Sequence, residues 1–168
     1  DTVKEIESSV KLTDEEKEAV KAGADIKFKI VVKDEVKAGD KELIDTKISS
    51  LVNNGVVGKV FDITIEKQVG NNAAVKAEFN SEITLKVQVP EELINKDDSK
   101  TRTYKVIRVH DGEVTVIDKE NCVFDEETGL ITFKTDKFST YAIVYEDAAK
   151  TVVTPGNTDN NQPVAPEA

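Results

Sequence analysis

The dipeptide Asp111-Gly112, set between two runs rich in β-branched residues, is the feature that most constrains how this chain can fold. Asp and Gly both tolerate the positive φ that the two central positions of a type I′ turn require, so the sequence predicts a two-residue β-hairpin. That turn fixes the register, with His110 opposite Glu113 and Val109 opposite Val114. The residues that then share the apolar face are Ile107, Val109, Val114 and Val116. We expect this face of the hairpin to lie against a core.

Alternation of apolar with polar residues at period 2 continues on both sides of the hairpin. It predicts further strands, which cover residues 26–32, 60–65, 83–89, 130–135 and 138–145. Gly70-Asn71-Asn72 is a turn signal between two of these strands, and Pro90 ends the strand over 83–89. Short strands joined by such turns predict a fold that is mainly β and antiparallel, with a minor α contribution.

Two segments have helical patterns instead. Thr13 and Glu16 have the spacing of a capping box, which predicts a helix that begins near the N-terminus. Asp40 is predicted as a second N-cap, for a helix that ends at Asn53. The apolar stripe of that second helix consists of Ile44, Ile48, Leu51 and Val52. Because such a stripe must be buried, we expect the helix to cover one sheet edge or to close one end of the β fold.

The chain divides into two regions by composition. Residues 1–147 carry the periodic patterns and are predicted to form one domain with an N-terminal helix. Residues 148–168 are rich in Pro, Asn and Thr and have no periodicity, so they are predicted to be a disordered linker or tail. The chain begins at Asp1 and contains no Met, so we expect it to be a segment of a longer precursor.

The charge balance constrains the partners. The chain has 23 basic and 33 acidic side chains and a formal net charge of −10 at pH 7. Nucleic acids and anionic membranes attract clustered Lys and Arg, so neither is expected as a partner. No apolar run approaches the roughly 20 residues that cross a bilayer, so membrane insertion is not expected. We expect a soluble, acidic monomer.

Few residue types for catalysis are present. Cys122 is the only cysteine and His110 the only histidine, which excludes an internal disulfide and a Cys-based zinc site. Cys122 is predicted to be a small buried side chain near a strand end rather than a reactive thiol. Ser139, His110 and Asp111 supply the residue types of a hydrolase triad, but Ser139 lacks the Gly-X-Ser-X-Gly elbow. We therefore predict no catalytic or cofactor-binding residues and no enzymatic activity.

Two acidic loops are candidates for calcium binding. Asp125 and Glu127 lie in one loop, and Asp97 and Asp98 lie in the other. Neither loop has the EF-hand spacing, and Ca²⁺ needs about six to eight oxygen ligands. Solvated turns are the favoured interpretation, and calcium is the only cofactor that stays open.

The tyrosines are the candidates for ligand binding. Carbohydrate modules often stack a sugar on an exposed aromatic ring, but this chain has no Trp and only Tyr104, Tyr141 and Tyr145. Tyr141 and Tyr145 flank Ile143 at period 2, so all three side chains should share one face of a strand. If that face is inside, the tyrosines belong to the core, and this is the interpretation that we favour.

Several segments resemble a β module that recurs in secreted and wall-attached proteins of Gram-positive bacteria. The segments that carry the resemblance are Pro90-Glu91-Glu92-Leu93, Thr101-Arg102-Thr103-Tyr104, Gly129-Leu130-Ile131-Thr132-Phe133 and Thr135-Asp136-Lys137-Phe138. The closing motif Phe138-Ser139-Thr140-Tyr141-Ala142 is similar to the last strand of ZU5-like domains. The resemblance implies an antiparallel β-sandwich, Ig-like or ZU5-like, with one or two short accessory helices.

The resemblance also implies a role and a location. Such modules are extracellular, secreted or attached to the cell wall, and they contact neighbouring domains of the same polypeptide. The expected function is that of a non-catalytic spacer or interaction module. The alternative is an ancillary carbohydrate-binding or adhesin module of a secreted glycoside hydrolase or a wall-anchored protein, with a glycan or a host or cell-wall protein as its partner.

Overall fold

The computed structural model describes residues 2–150, which form a mainly β fold with three short helices. The helices are α1 (Thr2–Ser9), α2 (Asp14–Lys21) and α3 (Ala38–Leu51). The strands are β1 (Ile26–Lys33), β2 (Val56–Val69), β3 (Val75–Lys76), β4 (Ile83–Gln88), β5 (Lys100–His110), β6 (Glu113–Val116), β7 (Cys122–Asp125), β8 (Leu130–Thr135) and β9 (Thr140–Ala149). None of these three helices has the length and apolar character needed to cross a membrane.

The strands form two sheets in which every pairing is antiparallel. The large sheet has six strands in the order β1-β2-β9-β5-β6, with β3 paired to the upper part of β2. The small sheet has three strands in the order β4-β8-β7. We call the end of the molecule at the β5–β6 turn the upper end, and the end where Ala149 pairs with Lys100 the lower end.

The inner core lies between the two sheets. The large sheet contributes alternate residues of β2, β5 and β9, and the small sheet contributes β4 and β8. Fully buried members from the two sheets are Phe61, Ile63, Ile65, Val106, Tyr141, Ile143, Ile83, Ile131 and Phe133. This burial of every second side chain is the result that the period-2 patterns predict.

The outer core lies on the opposite face of the large sheet, where α3 packs against β2, β5 and β6. Ile44 and Val52 are its buried contributions from the helical segment. The prediction that this helix covers a sheet edge or closes an end is therefore wrong, because the outer face of the sheet is itself apolar.

The start of α3 also differs from the prediction. Lys37, not Asp40, is the N-cap residue, and it makes no side-chain capping bond. Asp40 lies inside the first turn, and its Oδ2 accepts a hydrogen bond from Thr140 Oγ1 at 2.7 Å. The acidic side chain thus ties the helix to β9 instead of capping it.

The central hairpin is confirmed. Asp111 and Gly112 have φ of 49° and 78°, as a type I′ turn requires. His110 pairs with Glu113 and Val109 with Val114, and the apolar face of the hairpin packs in the outer core under α3.

The N-terminal capping box is confirmed as well. The Thr13 hydroxyl accepts from the Glu16 amide at 3.1 Å, and Glu16 Oε1 accepts from the Thr13 amide at 2.9 Å. Gly23, with φ of 100°, follows the end of this helix.

Three short elements were not predicted, namely α1, β3 and β7. Because α1 exists, residues 2–150 contain three helices where one or two were expected. Tertiary contacts hold α1 in place, since Glu5 accepts from the backbone and side chain of Thr84 and Ile6 enters the inner core. The last strand extends to Ala149, and residues 151–168 of the predicted tail lie outside the described residues.

Candidate functional site

A groove at the lower end of the molecule brings together several of the residues singled out in the sequence. It consists of two adjoining cavities of about 540 and 730 Å³. Both cavities are lined by Arg102, Tyr104, Phe124 and Glu126. We call this feature the lower groove.

Strand geometry explains which side chains reach the lower groove. Tyr104 pairs with Tyr145, and Arg102 pairs with Asp147, so these four side chains share the inner face of the large sheet. Among the described strands, β6 pairs with β5 only at residues 107–110. The lower part of β5 therefore has no strand on that side, and the groove opens between it and β7.

Arg102 lines the lower groove and contacts three of its neighbours. Its Nε and Nη2 donate to the two carboxylate oxygens of Asp147 at 2.7 and 2.8 Å, and its Nη1 donates to the Leu93 carbonyl at 2.8 Å. The guanidinium carbon lies 3.9 Å from the centroid of the Tyr145 ring, a cation–π geometry. The hydrogen bond from Arg102 holds the pKa of Asp147 below its usual value. Three hydrogen bonds and one ring contact, with three partner residues, thus hold Arg102 in place.

Tyr104 lies beside this cluster and is almost completely buried. Its hydroxyl donates to the Leu93 carbonyl at 2.6 Å, and its ring centroid is 4.3 Å from that of Phe124. Burial raises the pKa of Tyr104, so the phenol stays protonated at neutral pH. Little of its ring is open to a ligand, and Phe124 is the more accessible aromatic ring in the groove.

Tyr141 lies away from the groove. It is fully buried in the inner core, with Ile143 and the half-buried Tyr145 on the same face, as the period-2 spacing predicts. Its hydroxyl makes hydrogen bonds with Thr135 Oγ1 at 2.8 Å and with the Lys137 carbonyl. Burial raises its pKa. In this position Tyr141 presents no ring face to a sugar.

The acidic loops that are candidates for calcium lie close to the groove. Asp97 and Asp98 line one side of it, and the neighbouring residue of Asp125 and Glu127, Glu126, lines the other. In each loop one carboxylate, that of Asp97 or Asp125, accepts hydrogen bonds that close the loop. Asp97 Oδ1 accepts from the Ser99 amide and hydroxyl at 2.9 and 2.5 Å. These hydrogen bonds lower its pKa.

The second loop is closed in the same way. Asp125 Oδ1 accepts from the amides of Glu127 and Thr128 at 2.9 and 3.3 Å, which lowers its pKa. Within residues 2–150, no group of three or more His, Cys, Asp or Glu side chains is placed to hold a metal ion.

Cys122 borders the lower groove at the first position of β7. It is partly buried against the inner core, and burial raises the pKa of its thiol. A thiol with a raised pKa is protonated at neutral pH and is a poor nucleophile. Its position agrees with the predicted small core side chain at a strand end.

The chemistry of the groove suits a polar ligand with an apolar face. Arg102, Lys100 and the acidic loops offer donors and acceptors, and Phe124 offers an apolar surface. The Arg102–Asp147 pair could not be predicted from the sequence, because only the register of β5 against β9 places the two charges opposite each other.

The chain matches no protein-family model, no curated protein and no solved structure.

Proposed function

We propose that this chain is a non-catalytic extracellular module that acts as a spacer or interaction domain in a larger bacterial surface or secreted protein. In this proposal the two sheets constitute an Ig-like or ZU5-like β-sandwich. The segment that follows β9 connects the module to its neighbours. The observation that carries the proposal is the placement of the first and last strands.

Strands β1 and β9 both flank β2 and both run antiparallel to it, so they are parallel to each other. β1 begins at the upper end, where Ile26 pairs with Val69, and β9 ends at the lower end, where Ala149 pairs with Lys100. Once α1 and α2, which precede β1, have detached, tension applied through the two ends of the chain pulls β1 upward and β9 downward, each along its own axis.

This geometry suits a spacer that transmits force. Hydrogen bonds between antiparallel strands are perpendicular to the strands, so an axial pull loads all of them together. A pull that separates two strands from one end breaks the bonds one pair at a time. β9 is paired along its whole length with β5 and, in its upper half, also with β2.

Single-molecule pulling tests the proposal. The full chain is held by handles at its two termini and compared with a variant in which the second handle is attached at Asn71→Cys, in the turn after β2. Both proteins carry Cys122→Ala, so that the handle cysteine is unique. The second geometry pulls apart the ends of β1 and β2 at the Ile26–Val69 pair.

We expect the end-to-end geometry to unfold at the higher force at the same loading rate. Equal forces, or a lower force for the end-to-end pull, would contradict a load-bearing role. Circular dichroism of both proteins, recorded without force, checks that neither substitution has altered the fold.

A carbohydrate-binding or adhesin module is the second candidate, and the lower groove favours it. The groove combines the accessible ring of Phe124 with polar side chains around it, such as Asp98 and Lys100. A glycan array and melting curves with sugars or Ca²⁺ distinguish this candidate from the spacer. Binding that raises the melting temperature, and that Phe124→Ala abolishes, would support it.

A further inference from the structure

The outer side of β1 is an open sheet edge. β1 pairs with β2 along its whole length and lies at the end of the large sheet. Within residues 2–150, no strand and no loop hydrogen bond occupies its other side. An unpaired edge of this kind is a template for another extended chain.

The register identifies the backbone groups that face outward. The Gly70 amide donates to the Asp25 carbonyl at 2.8 Å, which makes Asp25–Gly70 a hydrogen-bonded pair. Hydrogen-bonded and non-hydrogen-bonded pairs alternate along an antiparallel ladder. The residues whose amide and carbonyl point away from β2 are therefore Ile26, Phe28, Ile30 and Val32.

The other side of β2 confirms this assignment. The Ile63 amide donates to the Ser139 carbonyl, and the Ile65 carbonyl accepts from Ala77. Both β2 residues thus direct their backbone groups away from β1. Val32 and Ile30, their partners in the register, are left with outward-facing groups.

The side chains along this edge differ between its two faces. On the inner face, Ile30 and Val32 occupy positions opposite the core residues Ile65 and Ile63 of β2. Their side chains are nevertheless 46% and 56% exposed. On the outer face stand Lys27, Lys29, Val31 and Lys33. Glu66 and Asp62 of β2 lie opposite Lys29 and Lys33 in the register, but none of the three lysines forms an ion pair within residues 2–150. The edge is therefore apolar on one face and carries three lysines and one valine on the other, in a chain whose net charge is −10.

The lysines disfavour a second copy of this chain as the occupant. If two β1 strands paired antiparallel with their apolar faces on the same side, the central register would place Lys27 opposite Lys33 at both ends. Like charges directly opposite each other destabilise a strand pair. A strand with acidic residues at those positions would instead gain opposite-charge pairs.

We propose that β1 is a docking edge for an extended acidic segment of another protein or domain, which adds to the large sheet as a further strand. Such a segment alternates apolar residues, which cover Ile30 and Val32, with Asp or Glu, which face the lysines. This inference gives the interaction part of the proposed function a surface and a partner chemistry, and it rests on that part. It does not depend on the pulling experiment, because peptide binding and mechanical strength are measured separately.

The test uses a short synthetic peptide that alternates Glu with Val, and a control peptide with Lys in place of each Glu. Amide hydrogen exchange of the full chain is followed by NMR with and without each peptide. We expect the Glu peptide to slow exchange at Phe28 and Ile30 by about tenfold or more, as a newly paired amide requires. Lys29, whose amide already bonds to β2, should change little, and the Lys peptide should have no effect.

Two substitutions make the result specific. Ile30→Pro removes an outward amide, which an edge strand tolerates, and should weaken peptide binding by about tenfold. Val32→Lys should weaken it similarly, whereas Val123→Lys, at a comparably exposed valine of β7, should not.

The proposal would be overturned by slowed exchange at another edge, by equal binding of the Lys peptide, or by no slowing at millimolar Glu peptide. Self-association that the Ile30→Pro variant abolishes would also overturn it, because the occupant would then be a second copy.

Discussion

At the scale of single residues, the ion pair between Lys67 and Glu16 shows how a helix with no buried apolar side chain is fixed to the sheet. Lys67 Nζ lies 2.7 Å from Glu16 Oε1 and also donates to the Lys11 carbonyl at 2.7 Å. Its side chain is 8% exposed and that of Glu16 is 13% exposed. Removal of one partner leaves the other as an uncompensated buried charge, which costs free energy. The pair therefore favours the one placement of α2 in which both charges meet.

We expect Glu16→Gln to destabilise the fold by about 2 kcal/mol at pH 7, because Lys67 loses its counter-charge. Glu15→Gln, on the exposed side of the same helical turn, is the control and should have little effect. Urea unfolding of the three proteins measures the differences. Equal stability of the two variants would show that the ion pair contributes nothing.

The same pair predicts a dependence on pH. The hydrogen bond from Lys67 and the one from the Thr13 amide lower the pKa of Glu16 in the folded state. A lowered folded pKa gives stability that is present above the unfolded value of about 4.3 and is lost as the pH falls below it. The difference in the free energy of unfolding between the parent chain and Glu16→Gln should therefore become smaller between pH 5 and pH 3. A difference that stays constant over this range would exclude the linkage.

At the scale of elements, the parts of the fold that local rules determine could be predicted from the sequence. The Asp111-Gly112 hairpin and the Thr13 capping box depend on residues a few positions apart, and both are confirmed. The location of α3 could not be predicted, because an apolar stripe shows that a helix is buried but not which surface buries it. α1 owes its position to Glu5 and Ile6 meeting β4 and the inner core, far away in sequence.

The candidate site was predictable only in part for the same reason. The tyrosines could be assigned to one strand face from their spacing. The contacts of Arg102 with Asp147 and Tyr145 depend on the pairing of β5 with β9, two strands that are not adjacent in sequence. The open side of β1 depends likewise on strand order, which the sequence pattern does not reveal.

Two glycines test the local rules directly. Gly112 has φ of 78°, so Gly112→Ala should destabilise the hairpin by about 1 kcal/mol. Gly39 lies in the first turn of α3, and an added Cβ would meet no atom outside the helix backbone within 4 Å, so Gly39→Ala should stabilise the fold by up to about 1 kcal/mol. Thermal or urea unfolding of the parent chain and the two variants measures both changes in stability. Effects of the same sign at the two positions would contradict the conformational argument.

At the scale of the whole molecule, the large sheet is the layer that both cores share. Each of β2, β5 and β9 presents alternate residues to the inner core and to the outer core, so its strands are covered on both faces. Loss of either core would expose the same strands to water. α3 and the small sheet should therefore unfold together with the large sheet, although they lie on its opposite faces.

Substitution of one buried isoleucine in each core tests this coupling. Ile44 in the outer core and Ile131 in the inner core are both completely buried, and each change to Ala should cost about 3 kcal/mol. Because the two sites share no neighbours, the double variant should lose the sum of the two values. Val123→Ala, at a 59% exposed valine, is the control and should cost little.

Helical and β signals followed by circular dichroism should fall in one transition in every variant, since the shared sheet cannot keep one core without the other. If Ile44→Ala lost its helical signal in a separate, earlier transition, α3 would be an independent layer and the outer core would not contribute to the cooperative unit.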